Sequence, residues 1–254
     1  MQCRRDQRKE SDMRRCSVYP ASPKATKPVF VLLCLAAWCV MASGTAWGGT
    51  IKGTVRFTGA AVEQKKLPVT VDHSVCWKEK AAVDILLSPE KGIRNVVVSL
   101  QPPPPGAKWP VSLPVVQMDQ QQCVYVPRVV VVPVGGTVEF LNTDRLLHNL
   151  HSNSTGNPVF NRTQPRGRTI PLVFKTPEII RVDCDLHPWM RAWVVVAEHP
   201  FYAVTNDQGE FVLDNVPPGK YTLQLWQESL GAVTQDVTVK DEASTAVTVD
   251  MSKK

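Results

Sequence analysis

Apolar and polar residues alternate along most of the chain after residue 50. In the segment 51–57, Ile51, Val55 and Phe57 alternate with polar residues, a pattern typical of a half-buried strand. The same pattern predicts further strands at 95–100, 129–132, 137–141, 179–184, 193–197, 210–213, 220–226, 234–239 and 245–250. Because turn-forming Gly, Pro and Asn clusters separate these short segments, we expect an all-β fold of sandwiches or barrels.

The segment 102–114 interrupts this pattern with six prolines in thirteen residues. Proline lacks the N–H that a central strand must donate, so this segment is predicted to be a stiff linker. Hydrophobic residues make up 43% of the 254 residues and charged residues 20%. That composition excludes a disordered chain and suffices for one large or two small domains.

The net charge of +6 lies mostly at the N-terminus. Residues 1–46 hold eight Lys and Arg against three Asp and Glu, whereas the rest of the chain holds 21 against 20. The main part of the chain therefore has no basic excess for binding nucleic acid, and we expect no nucleic-acid partner.

The segment 29–42 contains fourteen residues without charge or proline. Basic residues precede it and small residues follow it, as in a secretory signal, so we predict a signal peptide over 1–46 with cleavage near Ala46. An uncleaved anchor is the alternative, but fourteen residues are fewer than the roughly 20 of a membrane span. Met13 is an alternative start. We expect a periplasmic or secreted protein with no span in the mature chain.

Seven cysteines occur, and four of them precede residue 47. Cys76, Cys123 and Cys184 remain after cleavage. An odd number in an oxidising compartment indicates one disulfide and one thiol with another role. Since Cys184 has potential metal ligands beside it, we predict a Cys76–Cys123 disulfide. The alternatives are a different pairing, or three buried thiols.

Cys184, His187 and Met190 place a thiolate, an imidazole and a thioether within seven residues. This donor set suits copper, whereas zinc sites have little use for methionine. A further ligand must come from elsewhere, and His148 and His151 follow the strand predicted at 137–141. Two histidines, one cysteine and a weak axial methionine form the blue-copper electron-transfer set.

The NTD tripeptide at 142–144, the dipeptide His148-Asn149 and the motif CDLHPWM at 184–190 resemble the cupredoxins, most closely those with an amicyanin-like C-x2-H-x2-M loop. The resemblance covers 111–197 and implies a Greek-key sandwich with one type 1 copper ion. It implies that His148, Cys184 and His187 are equatorial ligands and Met190 is axial. It also implies that Asn149 ties the two ligand loops together.

We make separate predictions for two residues next to this ligand set, His151 and Leu186. In an extended segment His151 faces away from His148, so we interpret it as a residue at the surface or just behind the ligands. Leu186 stands where the amicyanin-like loop has proline. Its backbone N–H is predicted to point at the sulfur of Cys184 and to raise the reduction potential.

The flanking segments 49–110 and 198–252 resemble the two halves of a carboxypeptidase-regulatory-like sandwich. The resemblance implies that the cupredoxin segment is inserted in, or flanked by, this second sandwich. The whole chain resembles an exported group described as methylamine-utilisation or plastocyanin-like proteins. Where that group usually carries histidines, in the stretches 125–129 and 226–228, this chain has Arg128 and Gln227.

The leading functional hypothesis is a one-electron carrier and not an enzyme, because five histidines in the whole chain leave too few for a second copper cluster. His187 is expected to be the exposed ligand through which electrons leave. Pro188 and Trp189 would form an apolar docking collar for a redox protein such as a c-type cytochrome or a dehydrogenase, although Trp189 could simply pack inside. The alternatives are a copper-handling protein and a structural module of the cell envelope.

Overall fold

The computed structural model describes residues 48–60 and 65–253. The predicted signal peptide and its cysteines lie outside the described residues. The described chain is built from strands and one short helix: β1 (Gly49–Phe57), β2 (Lys66–Pro68), α1 (His73–Cys76), β3 (Glu79–Ala81), β4 (Val97–Gln101), β5 (Val115–Gln121), β6 (Val124–Val126), β7 (Val129–Pro133), β8 (Thr137–Asn142), β9 (His148–Asn153), β10 (Asn161–Gln164), β11 (Ile170–Val173), β12 (Glu178–Asp183), β13 (Arg191–Ala197), β14 (Tyr202–Val204), β15 (Glu210–Val216), β16 (Gly219–Gln227), β17 (Gly231–Val239) and β18 (Ser244–Met251). The all-β prediction is confirmed.

The first sandwich combines strands from both ends of the described chain. One sheet has the order β15-β1-β18, and the other has the order β14-β4-β16-β17. β1 pairs antiparallel with β15 and parallel with β18, and β4 lies between β14 and β16. Ile51, Leu100 and Leu223 are among the apolar side chains buried between the two sheets. The longest departure of the chain from this sandwich therefore begins after β4 and ends at β14.

The second sandwich is formed by the chain between those two points. A five-stranded sheet of order β10-β9-β12-β13-β7 faces a four-stranded sheet of order β11-β8-β5-β6. Met118, Phe140, Leu150 and Ile180 lie fully buried between them. The alternation in β8, where Val138 and Phe140 point inward, explains why this strand has one buried face.

The two sandwiches contact each other through a small apolar cluster. Val97 of β4, Val129 of β7 and Val195 of β13 are buried together there. Beside them the rings of Trp193 and Trp226 meet edge to face, with centroids 4.9 Å apart. The second sandwich thus uses the outer side of its five-stranded sheet against the first.

The segment 65–81 packs on the second sandwich, although the sequence-based prediction assigned it to the first sandwich. It forms the hairpin β2–β3 with α1 between the two strands, and we call it the cap. Val69 and Cys76 of the cap are buried in the core of the second sandwich, and Cys76 forms a disulfide with Cys123. The physical reason for this placement is that the disulfide and these two side chains anchor the cap there.

Candidate metal centre

Three predicted ligands meet at one end of the second sandwich. His148 is the first residue of β9, whereas Cys184 directly follows β12 and His187 lies in the loop before β13. This loop is tight because His187 N–H donates to the carbonyl of Cys184 at 3.2 Å, and Met190 N–H donates to the carbonyl of His187 at 2.8 Å. The neighbouring strands β9 and β12 pair with each other, which brings the donors together.

The three donor atoms form a triangle of the size that a single metal ion requires. His148 Nδ1 lies 2.9 Å from His187 Nδ1, and Cys184 Sγ lies 3.8 Å and 3.5 Å from these two nitrogens. The centre of a triangle with these sides is about 2 Å from each corner, close to ordinary metal–nitrogen and metal–sulfur distances. All three residues are at most 1% exposed. The site is therefore dry, trigonal and composed of two imidazoles and a thiol.

The electrostatics favour a thiolate at Cys184. Burial alone would raise the pKa of the thiol, but hydrogen bonds from His148, His187 and the backbone N–H of Asn149 lower it to about 6. Burial would lower the pKa of His148, but hydrogen bonds with Asp144 and Cys184 raise it to about 9. A metal cation would replace the proton that the pair shares, since metal ligands must be deprotonated.

Asn149 joins β9 to the cysteine loop. Its Oδ1 accepts a hydrogen bond of 2.7 Å from the backbone N–H of Asp185, and its Nδ2 donates to the Asp185 carboxylate at 3.1 Å. The same Nδ2 donates to Asn161 Oδ1 at 2.8 Å. The Asn149 side chain thus holds the His148 strand and the Cys184 loop at a fixed separation.

Met190, the predicted axial ligand, lies at the end of the same loop. It is 1% exposed and belongs to the same apolar cluster as Cys184, and its carbonyl accepts from the backbone N–H of Cys184 at 3.2 Å. A thioether is the weak, soft ligand that copper accepts beside two imidazoles and a thiolate. The donor set present here therefore fits copper.

The expectation that His187 is the exposed ligand is wrong. Its side chain is fully buried because the cap covers it: His187 Nε2 donates to Asp72 Oδ2 at 3.1 Å, and the sulfurs of Cys76 and Cys123 lie within 4.8 Å of a His187 ring nitrogen. The Trp189 ring also packs against the imidazole, with ring centroids 5.3 Å apart. The cover from the cap comes from a contact distant in sequence, whereas Trp189 belongs to the same loop as His187.

The predicted docking residues occupy different depths. Pro188 is exposed, and Trp189 is half-buried with its Nε1 donating to the carbonyl of Cys123 at 3.0 Å. Trp189 therefore packs inside and also reaches the surface. His151 is partly exposed and pairs with Asp185, its Nδ1 2.9 Å from Oδ1, so it lies outside the donor triangle.

The expected hydrogen bond from Leu186 is not present among the described residues. The backbone N–H that bonds to the Cys184 sulfur belongs to Asn149, and the Leu186 side chain is 46% exposed. The loop closes through the backbone N–H of His187, which donates to the carbonyl of Cys184, and not through the N–H of Leu186. The expectation that Leu186 tunes the potential through such a bond therefore loses its geometric basis.

Sequence reasoning missed two carboxylates that contact the donor imidazoles. Asp144 accepts from His148 Nε2 at 2.8 Å, and Asp72 accepts from His187 Nε2. Asp144 lies four residues before His148, within the NTD tripeptide, so its proximity could have been noticed. Asp72 lies 115 positions from His187, and no local pattern indicates the contact.

One family profile matches part of this chain. The carboxypeptidase regulatory-like domain profile matches residues 185–252, and so begins earlier than the boundary expected at 198. No characterised protein matches the chain at a significant level. Because the match covers a minor part of the chain, it describes that part alone.

Three solved structures, of a cupredoxin, a copper-containing nitrite reductase and an amicyanin, are similar to part of this chain. A purple cupredoxin from Nitrosopumilus maritimus is 26% identical, with a TM-score of 0.29, and the match covers 32% of this chain and 99% of that one. A copper-containing nitrite reductase from Thermus scotoductus SA-01 is 28% identical, with a TM-score of 0.32, and the match covers 39% of this chain and 26% of that one. A Cu(I) form of an amicyanin mutant is 22% identical, with a TM-score of 0.31, over 39% and 98% respectively.

None of the helical structure in residues 48–60 and 65–253 has the length and apolarity of a membrane span.

Proposed function

We propose that this protein is an exported one-electron carrier with a single type 1 copper ion. The observation that carries the proposal is the buried triangle of His148 Nδ1, His187 Nδ1 and Cys184 Sγ, with Met190 buried in the same apolar cluster as Cys184. Bound copper would supply a one-electron couple between Cu(I) and Cu(II). The chain supplies a thiolate, two imidazoles and a fixed, water-excluded frame.

The frame supports electron transfer more than copper storage or catalysis. Hydrogen bonds within the loop and through Asn149 hold the donors in one arrangement, so oxidation and reduction would require little movement. The donors are buried, which leaves no open position for a substrate. A copper store that must release its ion would benefit from accessible and adaptable ligands. A copper-handling role is therefore the second candidate.

Electrons would leave this protein by way of Trp189. The usual route through an exposed histidine edge is covered by the cap, whereas the Trp189 ring touches His187 and reaches the surface next to Pro188. The partner we propose is a redox protein, such as a c-type cytochrome or a dehydrogenase, that forms a small, transient complex at this place. The near balance of charges after residue 46 predicts weak electrostatic steering.

Copper reconstitution tests the proposal. The protein without its signal peptide, loaded with Cu(II), should show the intense visible band of a sulfur-to-copper charge transfer and a type 1 EPR spectrum. Cys184→Ser and His148→Ala should each abolish that band. His151→Ala is the matched control and should leave it nearly unchanged. A colourless Cu(II) complex in the unaltered protein would refute the type 1 assignment.

Electron exchange separates a carrier from a copper store. Stopped-flow oxidation of the Cu(I) protein by a c-type cytochrome should be fast and reversible, and Trp189→Leu should slow it while retaining the visible band. Trp77→Leu is the control, because Trp77 is a well exposed tryptophan on the cap. A store would bind copper tightly but exchange electrons slowly. Equal rates in the two variants would refute the route through Trp189.

A further inference from the structure

Each imidazole of the candidate centre has a carboxylate on its outer nitrogen. His148 Nε2 lies 2.8 Å from Asp144 Oδ2, and His187 Nε2 lies 3.1 Å from Asp72 Oδ2. The inner Nδ1 atoms of both rings face Cys184 Sγ. The two aspartates therefore act on the donors from outside, and they come from different parts of the chain.

A carboxylate in this position has two effects on a metal-binding imidazole. It accepts the Nε2–H, which fixes the tautomer and leaves the Nδ1 lone pair for the metal. It also makes the imidazole a stronger donor and adds negative charge near the ion. Both effects favour Cu(II) over Cu(I), because the ion of higher charge gains more from a strong donor and a nearby anion.

We propose that Asp72 and Asp144 are positioning residues of the metal centre that orient His187 and His148 and lower the reduction potential. The proposal rests on the function proposed above. Asp144 belongs to the second sandwich, but Asp72 belongs to the cap, so the cap completes the centre as well as covering it. This gives a functional role to a segment whose sequence carries no metal motif.

The local backbone at Asp72 is suited to this role. Asp72 directly precedes α1 in a left-handed conformation with φ of 55°, and its carbonyl accepts from the N–H groups of Val75 and Cys76. Its side chain makes no capping bond to the helix, so the carboxylate is free to bind His187. The disulfide at Cys76 then holds the far end of α1 on the core.

The same geometry provides clean variants. Asparagine and glycine both tolerate the left-handed conformation, so Asp72→Asn removes the charge but keeps an acceptor oxygen, and Asp72→Gly removes both. Glu79→Gln is the control, because Glu79 is an exposed cap carboxylate that pairs with Lys66. All three variants change the net charge equally, and only the first two touch the imidazole contact.

The measurements are Cu(II) and Cu(I) affinity by chelator competition, the potential by protein-film voltammetry, and the visible spectrum. For Asp72→Asn we expect a loss of Cu(II) affinity toward the lower end of roughly 10–100-fold, a smaller loss for Cu(I), and a raised potential. Asp72→Gly should lose more. Asp144→Asn should cause a larger loss of Cu(II) affinity and a larger rise in potential than Asp72→Asn, because the Asp144 side chain is 6% exposed and that of Asp72 is 44% exposed. Glu79→Gln should match the unaltered protein.

The outcomes separate this inference from the proposed function. An unchanged potential in Asp72→Asn, or equal losses for the two oxidation states, would overturn the tuning role. If the unaltered protein forms no type 1 centre, the proposed function fails, and Co(II) affinity then tests the orienting role by itself. In that case an Asp72→Gly affinity for Co(II) equal to that of Glu79→Gln would overturn it. Thermal unfolding of the metal-free variants verifies that each is folded.

Discussion

The joint between the two sandwiches contains an ion pair, and breaking this pair should lower the free energy of unfolding. Arg128 donates through Nε and Nη2 to Glu228 Oε1 at 2.8 Å and 2.7 Å, and through Nη1 to the carbonyl of Arg191 at 2.8 Å. Glu228 Oε2 accepts from Trp193 Nε1 at 2.9 Å. The two charged side chains are only 12% and 8% exposed. The Arg128 guanidinium, the Glu228 carboxylate, the Trp193 N–H and the Arg191 carbonyl therefore have hydrogen-bond partners within this group.

Glu228→Ala leaves a buried guanidinium without its counter-charge and the Trp193 N–H without an acceptor. Breaking a buried pair in this way costs about 3–5 kcal/mol, whereas replacing both partners with apolar residues is often nearly neutral. We expect a loss of free energy of unfolding of about 3–5 kcal/mol in Glu228→Ala and a much smaller one in the double variant Arg128→Met/Glu228→Leu. The large loss of free energy of unfolding in Glu228→Ala thus reflects the buried Arg128 charge that is left without a partner.

Urea denaturation of the metal-free protein, followed by tryptophan fluorescence and circular dichroism, measures these losses without linkage to copper binding. Asp207→Ala is the control, because Asp207 pairs with Arg94 at 2.9 Å in the open, with side chains 66% and 47% exposed. Exposed pairs contribute about 0–1 kcal/mol. A Glu228→Ala loss no larger than that of Asp207→Ala would refute the argument.

Two further predictions concern stability. Replacing both Cys76 and Cys123 with alanine should lower the free energy of unfolding by about 4 kcal/mol in the chain-entropy model for their separation of 47 residues, as measured by urea denaturation. Burial alone would raise the pKa of Glu178, but hydrogen bonds from Ser154, Thr155 and other donors of that loop lower it from 4.5 to about 2. The stability that this carboxylate contributes is present above pH 4.5 and is lost as the pH falls toward 2. Glu178→Gln should therefore lower the free energy of unfolding by about 1–2 kcal/mol at pH 7, after allowance for solvent screening. The free energy of unfolding of this variant should also depend less on pH between 4.5 and 2.

Local patterns were enough to predict that the candidate donors lie close together. Cys184, His187 and Met190 lie within seven residues, so any tight turn brings them together, and alternation in the strand that begins at His148 separates His148 from His151. The disulfide followed from the odd number of cysteines and the neighbours of Cys184. The convergence of the candidate donors depended on spacing within one or two strands, whereas the disulfide depended on the number of cysteines.

Several strands could not be predicted because polar side chains occupy buried positions. Gln120 of β5 and Gln164 of β10 are fully buried, and they pair through a side-chain hydrogen bond of 2.6 Å. Gln164 also donates to the carbonyl of Phe140 at 2.7 Å. A sequence pattern counts such glutamines as exposed, because it cannot show that a partner 44 positions away satisfies them.

Coordination and coverage of the candidate centre have different structural origins. Cys184, His187 and His148 are held by bonds inside the second sandwich, through the loop and through Asn149. The cover over His187 comes from the cap, which carries Asp72. Displacement of the cap would therefore leave the donors convergent but would expose the His187 imidazole and remove its carboxylate. In the proposed carrier, the donors of the second sandwich determine which metal binds, whereas the cap contributes to the potential through Asp72 and determines the surface from which electrons leave.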